Sequence, residues 1–231
     1  MYEKGIKKVV YTLAVGRYPE QITDLTFPLF QRYAKKIGAE FVVINERKFP
    51  DWPAAYEKLQ IYELAQALNT DWNIFFDADA LVHPELPDLT EIIPRDHVAH
   101  EFCDPSPVRW YQDRFFRRDH RFIGSCNWCA VGHTDCLELW KPLDDLTLEE
   151  AVQNIFPTVG EVAMGVTAEH LIDDYTLSRN IAKYGLKFKK IRDILRAMDL
   201  GNMSFFYHVY GLSTEEKAEK LRECATSWKV I

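Results

Sequence analysis

The sequence predicts an α/β fold, a parallel sheet flanked by helices, and three observations lead there. Short β-branched apolar runs alternate with longer amphipathic stretches through the first half of the chain, the rhythm of strand–helix–strand units joined by right-handed crossovers. Proline and glycine stand where the helical stretches begin and end. The third apolar run closes on two aspartates one residue apart, at the kind of strand end where such sheets bind ligands.

Taken in order, "KKVVYTLAV" is apolar and β-branched and reads as a buried strand. Pro19 to Ile37 reads as a helix, with Pro19 suited to a first turn and Gly38 to a stop. Pro28 is expected to kink or divide it. "EFVVIN" is a second strand. A helix from about Pro53 to Leu68 follows, with Ile61, Leu64, Ala65 and Leu68 at the spacing of one buried face. "WNIFF" is the third strand and ends on Asp77 and Asp79. Beyond it the pattern loosens. "HVAHEFC" reads as a strand, and "RFIGSCNWCAVG" as a strand or hairpin pair punctuated by Gly124 and Gly132. Leu171 to Tyr184 reads as a helix stopped by Gly185 and followed by the strand "LKFKKI". "SFFYHVYG" is aromatic and extended. A last helix opens at "STEEKAEKLREC", where Ser213 and Glu216 form a capping box. Without a repeat, a low-complexity tract or a linker, residues 1–231 are expected to form one domain.

With 231 residues, 47% hydrophobic and 27% charged, the chain has ordinary globular composition and can bury a proper core. A net charge of -7 argues against broad nucleic-acid binding. The basic cluster "RFFRRDHR", Arg114 to Arg121, reads as a solvated helix face or a local anion contact. No secretory leader is evident at the amino terminus, and no apolar run approaches the roughly 18 residues of a membrane span. Five cysteines form no paired metal spacing, since the Cys126–Cys129 pair has no second pair or histidines to complete it. Reduced thiols and a cytoplasmic location are the expectation.

Asp77 and Asp79 carry like charges that repel unless a cation, a proton or hydrogen-bond donors hold them. A solvated turn, a phosphoryl-transfer nucleophile with its partner, and a pair of metal ligands are the three readings. "IFFDADALV" invites comparison with haloacid-dehalogenase-type phosphatases, but Leu81 stands where Thr or Val usually follows. The pair also sits on the third strand rather than the first.

Four stretches taken together, "VVYTLAVG", "YEKLQIYELA", "IDDYTLSRNIAKYGLKF" and "HVYG", fall around the DxD strand in an order that resembles glycosyltransferases of the GT-A fold. The nearest in flavour are the metal-dependent families 8 and 34. The resemblance implies a single Rossmann-like GT-A domain with a mixed, mainly parallel sheet flanked by helices. It further implies transfer of a sugar from a nucleotide-sugar donor, a UDP-hexose, to a glycan, glycolipid or glycoprotein acceptor, with retention favoured. Leaving diphosphate carries high negative charge, which Mn²⁺ or Mg²⁺ on hard ligands neutralises.

On this resemblance Asp79 binds the metal, Asp77 shares it or holds the ribose, and His208 is the third ligand. A histidine among aromatics reads first as core, but its place before a terminal helix, with Gly211 three residues on, favours a ligand. Thr12, Leu13 and Ala14 lie against the base and Tyr18 stacks on it. Lys58 reaches the donor, and Asn127 faces the sugar. Asp173 or Asp174, with Asp174 favoured, sits beside the anomeric carbon, as the base that deprotonates the acceptor in an inverting enzyme or as a group that positions acceptor or donor in a retaining one; either also suits a helix amino terminus without a function. Trp128 and Cys129 replace small residues of the family's sugar-facing strand. Thr214 stands where a phosphate-binding lysine is expected, so either Lys217 substitutes or the phosphate is held less tightly. A dehalogenase-type phosphatase and a non-catalytic sugar-nucleotide-binding protein are the alternatives.

Overall fold

The computed structural model describes residues 5–104, 113–119, 124–201 and 203–230. Strand β1 (Lys8–Leu13), helix α1 (Glu20–Ile37), strand β2 (Glu40–Ile44), helix α2 (Ile61–Leu68) and strand β3 (Trp72–Asp77) follow in the expected order. Both β2 and β3 pair parallel to β1. The apolar stripe of α1 (Ile22, Leu29, Phe30, Tyr33 and Ala34) is buried, and Gly38 ends the helix at φ 69°, a left-handed conformation that glycine adopts without penalty. Of the two outcomes expected at Pro28, division does not occur: the helix runs unbroken from Glu20 to Ile37. Pro28 lies on the exposed face, as does Asp24 one turn back, so water satisfies the carbonyl that the missing N–H leaves open. Ahead of α2, the stretch Ala54–Gln60 is a 3-10 helix rather than the start of an α-helix. The apolar spacing falls wholly within Ile61–Leu68, and upstream the winding follows the buried charges of Glu57 and Lys58.

Then come β4 (Ala80–Val82), α3 (Leu89–Ile92), β5 (His97–Asp104), α4 (Arg114–Asp119) and β6 (Gly124–His133). A 3-10 stretch Thr134–Trp140 leads to α5 (Leu148–Val152) and α6 (Val159–Ala163). Next are α7 (Ile172–Lys183), β7 (Lys187–Lys190), α8 (Ile191–Ala197), β8 (Phe206–His208) and α9 (Thr214–Ser227). The main sheet runs β2-β1-β3-β6-β5-β7. Only β6 opposes its neighbours, so the sheet is mixed and mainly parallel. The strand or hairpin pair expected around Gly124 and Gly132 is one long strand. Gly132 is no turn: it lies between the Val98 and Leu139 side chains, and a β-carbon there would still find ordinary contact distances. The start of that expected segment, Arg121 to Ile123, lies outside the described residues, as do His120 and Arg121 of the basic cluster. Of that cluster, Arg114 is exposed while Phe116 is buried.

Both faces of the sheet are covered, which is why its central strands read as continuous apolar runs. Val9, Tyr11, Phe75, Val98 and Ala130 pack on one side with α2, α7 and Trp140. Val10, Ile74, Phe76, Ala99 and Val131 pack on the other with α1 and α8. A third cluster joins Ile22 and Leu29 of α1 to Leu81 of β4 and Leu221 and Ala225 of α9, which fixes the last helix beside the carboxyl end of β3. Cys129, Cys136 and Cys224 are free thiols; the states of Cys103 and Cys126 lie outside what is described.

Candidate functional site

After Asp77 the chain leaves the main sheet. Thr26 of α1 donates through Oγ1 to the Ala78 carbonyl at 2.7 Å and holds the turn. Strand β4 then pairs antiparallel with β8, Ala80 opposite His208. That register sets His208 beside the preceding Asp79, with His208 Nε2 3.3 Å from Asp79 Oδ1. Trp128 stacks on the imidazole, centroids 5.1 Å apart and planes at 11°, which fixes the ring. Helix α9, opened by the Ser213–Glu216 capping box, brings Lys217 Nζ to 2.5 Å from Asp79 Oδ2. Ligand atoms of Asp77, Asp79 and His208 all lie within 4.8 Å of one another. Burial works to raise the Asp79 carboxyl, but His208 and Lys217 outweigh it and hold the group down to about 2. Asp77 is pushed up instead, by burial first and by the Asp79 charge, against the pull of Lys58.

A second group of charges stands beside this one. Lys58, almost wholly buried, donates to Asp77 Oδ1 at 3.1 Å and to the Asn127 carbonyl at 3.3 Å, and it is paired with Asp173 Oδ2 at 2.6 Å. Burial alone would lower the lysine; Asp173 and Asp77 overcome that and keep it above the ordinary lysine range. Asp174 Oδ1 accepts the Asn127 backbone N–H at 2.8 Å. Desolvation, then the neighbouring Asp173 charge, pushes the Asp174 carboxyl up to about 8, despite Lys58. Adjacent aspartates on one helix turn are thus separated by their partners: Asp173 is paired with the Lys58 ammonium and Asp174 with a backbone N–H.

Strand β6 presents the polar and aromatic wall through an irregularity. His100 pairs with Ala130 and Phe102 with Cys126, so Glu101 alone faces Asn127, Trp128 and Cys129. Extra residues of this kind bend a strand and re-aim its side chains. Asn127 and Trp128 thereby reach the same cleft as Lys58 and the acidic residues, a cleft of about 700 Å³.

Of the residues expected from the sequence, Leu13, Tyr18, Lys58, Asp77, Asp79, Asn127, Asp173, Asp174, His208 and Gly211 border this cleft. Thr12 does not: it is fully buried within the sheet, paired with Val43 and Phe76. Ala14 is likewise off the wall, its N–H donated to the Ile44 carbonyl at 2.8 Å. Successive strand residues point to opposite faces, so Leu13 and Val15 are the ones that emerge. Burial, then the charges of Asp79 and Asp77, pushes the Tyr18 hydroxyl well above the usual phenol range. The sequence reading missed Glu161, Met164, Tyr210 and Leu212, which also border the cleft. The capping pattern at Thr158 and Glu161 was there to be read, but nothing in it points to a cleft. Trp128 appeared in the sequence as a departure from a pattern; the structure makes it the plate behind His208.

Among the described residues no helix is long and apolar enough to cross a membrane. No family model and no curated protein matches the chain. Among solved structures, it is similar to a glycosyltransferase involved in the glycosylation of the major capsid of PBCV-1, at 15% identity and a TM-score of 0.50. The similarity covers 95% of this chain and 100% of that one. The likeness is one of fold: a mixed, mainly parallel α/β sheet flanked by helices.

Proposed function

We propose that the chain, as one domain, is a metal-dependent glycosyltransferase of the GT-A type, similar to families 8 and 34. It would move a hexose from a UDP-sugar to a glycan, glycolipid or glycoprotein acceptor with retention. One observation carries the reading: Asp77, Asp79 and His208 converge in a cleft that also holds Lys58, Asp173 and Asp174. The donor set suits a divalent cation, since two carboxylates and an imidazole are ligands for Mn²⁺ or Mg²⁺. The Lys217 ammonium on Asp79 Oδ2 marks that carboxylate as one that draws positive charge, which a metal would have to share or displace. Asp77, Asp79 and His208 would hold the metal. When bound it would neutralise the charge of the departing diphosphate.

The chain's own residues divide the remaining work. Trp128 and the β4–β8 pairing orient His208. Lys58 clamps Asp77 to Asp173 and so fixes the donor side of the cleft relative to helix α7. Asp174, hydrogen-bonded to the Asn127 N–H rather than paired with Lys58 and raised to about 8, is the carboxyl able to exchange a proton near neutral pH with a sugar or acceptor hydroxyl. Leu13, Val15 and Tyr18 offer an apolar edge and a ring for the base. The phosphatase alternative leaves His208 and the Asp173–Asp174 pair without a part, and we set it second.

Thermal melts with nucleoside diphosphates, with and without Mn²⁺, test this. UDP at 100 times its dissociation constant should stabilise the fold by about 2.7 kcal/mol, and only when Mn²⁺ is present. Equal shifts in EDTA would remove the metal from the reading.

A further inference from the structure

Each oxygen of Asp79 already has a partner. Its Oδ1 faces His208 Nε2 at 3.3 Å and its Oδ2 holds Lys217 Nζ at 2.5 Å. Both partners of the ion pair are largely withdrawn from water, with side-chain exposures of 24% and 12%, so the attraction is poorly screened. A divalent cation on the same carboxylate would face the Lys217 ammonium across a few ångströms of the same low-dielectric cleft. The two cations compete for one anion. Lys217 can yield, because it sits near the start of α9 on a four-carbon stem and borders the open cleft. Once displaced it needs another negative partner, and the cleft's other carboxylates are engaged: Asp77 and Asp173 by Lys58, Asp174 by the Asn127 N–H, and Glu161 by the N–H and hydroxyl of Thr158.

Resting on the proposed reading of the site, we propose that Lys217 is an exchangeable counter-cation. It pairs with Asp79 when no metal competes for that carboxylate and passes to the diphosphate when metal and nucleotide bind. The lysine thus disfavours metal alone and favours metal together with diphosphate, which makes the two bind as linked ligands. Thr214, where a phosphate-binding lysine was expected, is the first residue of α9 after its Ser213 cap; the positive charge arrives one turn later, at Lys217.

The test is a titration of Mn²⁺, followed by its paramagnetic signal, into the parent chain and into Lys217→Gln, Lys217→Met, Lys217→Arg and Lys220→Gln, each with and without UDP. Lys220 is an exposed lysine of the same helix, paired with Glu223, and controls for general charge. Lys217→Gln and Lys217→Met should bind Mn²⁺ alone about tenfold more tightly than the parent, and UDP in the presence of Mn²⁺ about tenfold more weakly, within the usual range of coupling between sites. Lys217→Arg and Lys220→Gln should stay near the parent. Two neutral variants guard against one that folds poorly. Unchanged or weaker Mn²⁺ binding in both would overturn the exchange while leaving the metal site in place. Equal tightening in Lys220→Gln would overturn it too, as a bulk charge effect. If the parent takes up Mn²⁺ neither alone nor with UDP, the metal site itself falls and the exchange falls with it.

Discussion

Asp79 and Asp174 are both carboxylates of one cleft, yet their surroundings push them in opposite directions. Asp79, between His208 and Lys217, is held at about 2; Asp174, which faces Asp173 and a single backbone N–H, is raised to about 8. Substitution should separate them. Asp79→Asn keeps the size of the side chain but removes the charge that attracts a cation, so metal-dependent UDP binding and turnover should both fall. His208→Ala should act alike through the loss of a ligand. Asp174→Asn should leave UDP affinity within a few fold and lower turnover by roughly 10²–10⁴-fold, the range of a lost proton-transfer group. Calorimetry of UDP binding beside steady-state rates reads the difference. Parent-like turnover in Asp174→Asn would reduce Asp174 to a helix-terminal charge. At this scale much of the site was legible, because paired aspartates at a strand end, and a histidine before a terminal helix, are local patterns. Lys58 was found by position, but its three contacts join residues far apart in the chain and leave no trace in spacing.

Helix α7 carries Asp173 and Asp174 on its first turn, and its far side is fixed by charge. Arg179 Nε donates to Asp113 Oδ2 at 2.8 Å, and its two other nitrogens donate to Asp145 at 2.9 Å. Tyr175 donates its hydroxyl to the same Asp113 oxygen at 2.7 Å. Arg179 is almost wholly buried, so Arg179→Met would leave Asp113 buried without its cation. Such a loss costs about 3–5 kcal/mol, and denaturant melts should show it. If the melts match the parent, the network is not what seats α7. The helix itself was legible from its periodicity and from Gly185. The network was not, since its acidic partners sit in irregular segments. Elements of the first half were read well because β1 and β3 are buried on both faces and each helix keeps one apolar stripe. The second half resisted for a physical reason. Its central strand β6 runs antiparallel and carries an irregularity opposite Glu101, so neither the crossover rhythm nor a period of two survives along it. Strand β4, three residues long, is too short to announce itself, whereas β8, equally short, falls inside the aromatic stretch read as extended.

Across the whole molecule, the buried titratable groups set how stability follows pH, and their signs oppose. His100 is fully buried, and desolvation holds it down to about 3, below the ~6.5 of an unfolded histidine. It stays neutral in the fold, so its contribution is present above pH ~6.5 and is lost as pH falls towards about 3. Asp79 adds to that acid limb, present above the ~3.9 of an unfolded aspartate and lost as pH falls through about 2. Asp174 works the other way. Its folded value is raised, so its contribution is full below ~3.9 and drains away as pH rises through about 8. Between ~3.9 and ~6.5 the histidine and Asp174 slopes cancel, one proton against one. Above ~6.5 only Asp174 is left among these three, and stability should fall by at most about 1.4 kcal/mol per pH unit until about pH 8. Thermal melts in EDTA from pH 5 to 9 therefore have a specific shape: near-flat at first, then declining. Asp174→Asn carries no proton to lose and should lessen the decline while leaving the acid limb in place, the remainder belonging to Asp77 and Glu101, whose carboxyls burial also raises. A variant that declines as steeply as the parent would show that the carboxyl beside Asp173 is already ionised at neutral pH, and its place as the proton-exchanging group of the cleft would pass to another residue.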